Sequence, residues 1–180
     1  PSYVLGNTAS QTFNLGGTLG YRWDGGRLHA SWHHHDFRAG VFYGVRNSSP
    51  ADFQAQLDAD KPVTADLWST TYAIDRPYQD VTHDIGVLDA ALSGQWGTLE
   101  VTYAFQLNRR REFEQVREAV TGPQYDFTLR THSLDVLYRH PEKDLSIGRL
   151  TGGVGVQGSF QENVYRGYAL LPNYRSFAGG

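Results

Sequence analysis

The sequence predicts an all-β protein: an antiparallel up-and-down meander of about six strands, with one short helix in a long loop. Three observations carry this. Apolar side chains recur at every second position, most clearly at Leu99, Val101, Tyr103, Phe105 and Leu107, with Glu100, Thr102, Ala104, Gln106 and Asn108 between them. Tight-turn signals separate such stretches, "DGG" at 24–26, "GQWG" at 94–97 and "PEKD" at 141–144. Gly, Asp and Pro suit the backbone of tight connections. The connections also alternate, short and then long or medium. In a meander this sorts the tight turns to one end and the longer loops to the other.

The first strand places Phe13, Leu15, Leu19, Tyr21 and Trp23 on one face, with Gly17 in the series, and Thr12, Asn14, Thr18 and Arg22 on the other. The second starts at Arg27, with Leu28, Ala30 and Trp32 facing one way and His29, Ser31, His33 and His35 the other. A long connection follows over about 38–77. Inside it "SSPADFQAQLDAD" predicts the helix. Ser49 is the N-cap, Pro50 takes the first helical position, and Asp52 complements the helix N-terminus. Phe53 and Leu57, one turn apart, are expected to hold it to the surface beneath.

The third strand covers about 78–93. Leu88, Ala90 and Leu92 share a face, while Ile85 and Val87 are out of phase. The fourth is the stretch 99–107, followed by Arg109, Arg110 and Arg111. A loop over about 114–125 leads to the fifth strand, with Leu134, Val136 and Tyr138 in phase. The sixth holds Leu150, Val154, Val156 and Phe160 on one face and Thr151, Gln157, Ser159 and Gln161 on the other. "ENVYRGYALLPNYRS" is expected to be a final loop.

The 180 residues make one domain of ordinary size. The absence of Cys excludes disulfides, thiolate metal sites and a Cys nucleophile. The absence of Met points to a processed chain or an internal piece. A net charge of -3 and a pI near 6.2 argue against a general nucleic-acid binder. Mean hydropathy is -0.49, and no apolar run is long enough for a membrane helix. A membrane β-barrel, however, conceals its apolar residues at alternate positions. The run from Leu99 to Leu107, at ~3.4 Å per residue and a tilt of ~40°, covers roughly 23 Å, close to the ~25 Å apolar band of such barrels. Tyr21, Trp23, Trp96 and Tyr138 lie by the short turns, where an interfacial aromatic girdle belongs. The strands are therefore expected to belong to a transmembrane β-barrel. The same alternation also fits a soluble sandwich or barrel whose apolar face fills a core.

Four segments resemble the barrel of TonB-dependent outer-membrane receptors. They are "IDRPYQDVTHDIGVLDAAL" (74–92), "TYAFQLNRRREF" (102–113), "THSLDVLYRH" (131–140) and "ALLPNY" (169–174). Their order and spacing fit that family from about Tyr21 to Tyr174. The resemblance implies a barrel of ~22 strands plugged by a separate N-terminal domain. It implies energised uptake of a scarce ligand, such as an iron–siderophore complex, across the outer membrane of a Gram-negative bacterium. With only about six strands and neither plug nor coupling segment in view, residues 1–180 are expected to be a partial barrel. The implied partners are outer-membrane lipid, the remainder of the barrel and its plug, and the energy-transducing TonB complex acting through that plug. Nucleic acid is not expected. The alternatives are a soluble carbohydrate-binding sandwich or barrel and a general porin.

The candidate site residues divide by face. His33 and His35 share a face that His34 does not. They are candidates for ligand binding, or else polar lumen residues; Asp36 is the nearby acid, on His34's face. Arg110 continues the face of Gln106 and Asn108 toward an anionic ligand. Arg109 and Arg111 continue the lipid side and suit lipid phosphates. Neutralisation of the run by Glu112 and Glu114 is the competing reading. Trp23, Trp96 and Tyr138 join the lipid rim. Asp75, Arg76, Asp80 and Asp84 are read as rim and lumen charge rather than acid–base machinery. "GRLTGGVGVQG" (148–158) lacks the Lys-Ser/Thr ending of a phosphate loop. No catalytic residue, metal or cofactor is expected.

Overall fold

In a computed structural model that describes residues 4–42, 49–60, 68–114, 121–166 and 173–180, the chain folds as an antiparallel meander. In chain order the elements are β1 (Val4–Leu5), β2 (Ser10–Trp23), β3 (Gly26–Gly40), α1 (Pro50–Leu57), β4 (Trp68–Ser69), β5 (Tyr78–Gly94) and β6 (Gly97–Phe113). They continue with β7 (Tyr125–Arg139), β8 (Lys143–Leu145), β9 (Gly148–Leu150), β10 (Gly153–Arg166) and β11 (Tyr174–Gly179). Seven strands form the main sheet in the order β11-β10-β7-β6-β5-β3-β2. Each pairs with its neighbour along the chain, and β2 and β11 are left at the two edges. β1 pairs with β4, and β8 with β9, as separate two-stranded ribbons.

The expected helix is present. The Ser49 hydroxyl accepts the Asp52 N–H at 3.1 Å, with Pro50 just inside the start. Phe53 and Leu57 are both exposed, so they do not anchor it as expected. β6 runs through all three arginines to Phe113, because its ladder with β5 continues to Tyr78 and its ladder with β7 to Tyr125. The "PEKD" turn is replaced by a longer connection. Lys143 and Asp144 open the β8–β9 ribbon, whose bend is set by Gly148 at φ 141°. Leu150 therefore belongs to that ribbon and not to the strand of Val154, Val156 and Phe160. "ENVYR" extends β10, and Tyr174–Gly179 adds a seventh strand where a loop was expected. Within that expected loop, residues 167–172 lie outside the described residues. So do 43–48, 61–67 and 115–120 of the other two long connections.

The loop sorting holds only in part: the connections after β2 and β5 are tight and the one after β3 is long, but the one after β7, with its ribbon, is longer than those after β6 and β10. The connections after β2, β5 and β7 share one end of the sheet, and those after β3, β6 and β10 share the other. Asn7 fastens the loop end. It adopts φ 56°, which Asn tolerates better than most residues. Its Nδ2 donates to the carbonyls of Val41 and Pro77, and its Oδ1 accepts the Asp75 N–H.

Gly97 at the turn end combines φ 119° with a position where a Cβ would run into the Arg139 carbonyl. Gly86, in mid-strand, has nothing within 4 Å of its would-be Cβ. Gly97→Ala is expected to lose about 1–3 kcal/mol of stability and Gly86→Ala to lose none. Thermal melts of the two variants in detergent check the contrast; equal melting temperatures would contradict it.

Candidate functional site

Cross-strand partners share a face, so each row can be followed across the sheet. On the apolar face the first row from the short turns is Trp23, Gly26, Leu92, Leu99, Tyr138 and Val154. The next is Tyr21, Leu28, Ala90, Val101, Val136 and Val156. The third is Leu19, Ala30, Leu88, Tyr103, Leu134 and Gly158. In the fourth, Trp32, Gly86, Phe105 and Phe160 accompany His132, whose Nδ1 lies 2.7 Å from the Tyr103 hydroxyl, and Arg175 of β11 stands opposite Phe160, 5.4 Å from its ring centre.

Two aromatic pairs mark the turn end of this face. Tyr21 stacks on Trp23, and Tyr138 on Trp96, whose carbonyl accepts the Tyr138 hydroxyl at 2.6 Å. The indoles of Trp23 and Trp96 lie over Gly26 and Gly94, where a Cβ would have no room.

Polar groups take over at the fifth row, where Leu107 lies between Asp84 and Arg130. The expected ruler from Leu99 to Leu107 is thus too long. From β3 to β10 the band closes at Phe105, about 20 Å along the strands and ~16 Å in height at the same tilt of ~40°. The charges there are paired, His34 with Asp84 at 2.8 Å and Arg130 with Glu162 at 3.3 Å. His34's acid is therefore Asp84 on β5 rather than Asp36.

Of the three arginines, Arg109 and Arg111 lie on the apolar face above the band, and each is ion-paired. Arg109 meets Asp126 at 3.3 Å, and Arg111 meets Asp80 at 3.3 Å. Arg38 also binds Asp80, through Nε at 2.6 Å and Nη2 at 3.1 Å, so one buried carboxylate serves two guanidiniums. Arg38 lies 5.2 Å from the Tyr78 ring centre, Tyr78 stacks on Phe113 at 4.3 Å, and Arg76 lies 5.4 Å from the Phe113 ring centre. Arg76 also donates to the carbonyls of Glu114, Thr121 and Gly122. Arg110 is on the polar face and meets Glu112 at 2.7 Å. Of the two acids expected to neutralise the run, Glu112 pairs with Arg110 alone, and Glu114 contributes its backbone carbonyl to Arg76 and not to the run.

His33 and His35 share the polar face, as their spacing requires. His35 Nδ1 lies 2.6 Å from Asn14 Oδ1. The His33 ring covers Gly16, where a Cβ would come within 2.7 Å of its Nδ1. Register adds a third imidazole, His83, directly opposite His35. Nothing in the local sequence of β5 ties His83 to the "HHH" run. Among the described residues no group of three or more His, Asp, Glu or Cys is placed to hold a metal ion.

Three consecutive rows of the polar face carry no Asp, Glu, Lys or Arg. One holds Thr18, Ser31, Val87, Ala104, Ser133 and Ser159. The next holds Gly16, His33, Ile85, Gln106, Thr131 and Gln161. The third holds Asn14, His35, His83, Asn108, Leu129 and Asn163. Charge returns on the turn side with Asp89 and Asp135, and on the loop side with Arg110 between Val81 and Phe127.

Comparison with family models, with curated proteins and with solved structures finds no match to this chain.

Removing the shared carboxylate leaves Arg38 and Arg111 facing each other. Asp80→Asn is expected to cost about 1–3 kcal/mol. Glu142→Gln, which breaks a pair with Arg149 that is 63% exposed on both sides, should stay within ~0.5 kcal/mol of wild type. Chemical denaturation of both variants tests the difference.

Proposed function

We propose that this chain is part of the barrel of a TonB-dependent outer-membrane transporter. It would take up a scarce ligand, such as an iron–siderophore complex, with energy delivered by the TonB complex through a plug. The observation that carries the proposal is an apolar face over which the described residues place no protein layer. Among the described residues Phe113 is the only buried hydrophobic side chain, while Leu19 is 77% and Val156 58% exposed. A soluble sandwich would cover such a face with a second sheet about 10 Å away. A barrel wall in a bilayer turns it to lipid.

Further support comes from the tight turns after β2 and β5, the aromatic pairs at the turn end and the paired charges that begin at the fifth row from β3 to β10. The four segments that resemble the receptor barrel point the same way. Edge geometry supports a partial barrel. β2 and β11 are the first and seventh strands of the meander and run in the same direction. An antiparallel closure therefore needs further strands, and two open edges in lipid would leave backbone groups unpaired. Arg109 and Arg111 then lie at the lipid headgroup level, held by Asp126 and Asp80. Lipid is the immediate partner, and no acid–base or nucleophilic chemistry is assigned to the chain.

Single cysteines in the full-length protein, labelled in intact outer membranes, test the proposal. Cysteine at Val101 or Leu134 should react with a lipid-restricted maleimide and resist a water-soluble one. Cysteine at Ser133 should show the reverse. The same reactivity at all three positions, or recovery of the protein without detergent, would refute it.

A further inference from the structure

We infer that the charge-free belt on the polar face is a binding surface for an uncharged, polyhydroxylated ligand of the saccharide class. This rests on the transporter reading, and it narrows the ligand. In a chain of which 19% of residues are charged, three successive rows across the sheet hold none. Beside the imidazoles of His33, His35 and His83 and the apolar Val87, Ala104, Ile85 and Leu129, their side chains are carboxamides and hydroxyls. Gln106 and Asn108 come from β6, Thr131 and Ser133 from β7, and Ser159 and Gln161 from β10.

Each of these groups both donates and accepts hydrogen bonds, as sugar hydroxyls do. A neutral polyol exchanges its bonds to water for equivalent ones on this surface. An anion or cation would lose hydration there with no opposite fixed charge to replace it. The nearest arginine on this face, Arg110, is already bound to Glu112. On β7 and β10 the belt's contact is long, the Thr131 hydroxyl donating to Gln161 Oε1 at 3.4 Å, whereas His35 and Asn14 hold each other at 2.6 Å. Flat rings lie just on the loop side of the belt. Phe37 stacks against His35 at 6.2 Å, and Phe127 against Tyr125 at 6.1 Å. They offer apolar faces to the C–H side of a pyranose, next to polar groups that fix its orientation.

The test uses the full-length protein in detergent and isothermal titration calorimetry. The probes are six-unit malto-, cello- and xylo-oligosaccharides, a galacturonate hexamer and ferric desferrioxamine. At least one neutral oligosaccharide should bind saturably, with a Kd that changes less than about twofold between ~0.05 and ~0.5 M NaCl. Gln106→Ala together with Asn108→Ala should weaken it about tenfold. Thr131→Val, which removes one hydroxyl while keeping a β-branched side chain, should weaken it severalfold. Heat-modified gel migration verifies that each variant is folded. Failure of every neutral probe to bind overturns the inference, as does binding confined to the galacturonate or ferric probe. Membrane insertion is read separately by detergent-dependent extraction. An inserted protein that binds no neutral saccharide defeats this inference alone, whereas a protein extracted without detergent defeats the transporter reading as well.

Discussion

The pairing register of β5 against β3 and β6 is the constraint on which the other features rest. It puts Leu88, Ala90 and Leu92 beside Ala30, Leu28, Tyr103, Val101 and Leu99, and so makes one apolar face continuous across the middle of the sheet. It also puts Asp84 opposite His34, Asp80 between Arg38 and Arg111, and His83 opposite His35. Because side chains alternate with a period of two, a slip by one residue would turn all of these to the other face. The charged pairs would then be parted, and the leucines would lie among the polar rows. Register is thus marked by the continuity of the apolar face and by charge pairing at the loop end.

The chain has very little conventional core. Phe113, in its stack with Tyr78, is the one buried hydrophobic among the described residues, and it lies at the loop end. There Arg38 and Arg76 approach the same two rings, and Arg76 ties β6 to the loop that follows it. This cluster fixes where the long connections leave the sheet. The remaining cohesion among the described residues comes from the ladders, and the apolar face is left uncovered by them. On the membrane reading that face and the polar belt have different roles, one settling the depth of the sheet and the other meeting a ligand.

Much of this was legible along the chain, because strand alternation is a local signal. Phe13 to Trp23, Leu28 to Trp32 and Leu99 to Phe105 show their apolar face without reference to any neighbour. The helix at 50–57 was legible for the same reason, since Ser49, Pro50 and Asp52 act within one turn. The β8–β9 ribbon and β11 were not. Short strands such as Lys143–Leu145 and Tyr174–Gly179 show little periodicity and are specified by what they pair with. The destination of the arginine run was half legible. Alternation separated Arg110 from Arg109 and Arg111, but their acids, Asp126 and Asp80, sit on neighbouring strands.

The sequence by itself determined that the chain makes antiparallel strands, which residues share a face within each strand, and where two of the tight turns fall. These follow from a two-residue period and from turn chemistry, both of which act between near neighbours. Only the tertiary structure decided how the strands line up. From that alignment come the level at which the apolar band stops, the acid that each arginine and His34 meets, and the neutral belt that no single strand reveals. Those features depend on side chains brought within a few ångströms across ladders joining distant segments, and a local pattern carries no information about that distance.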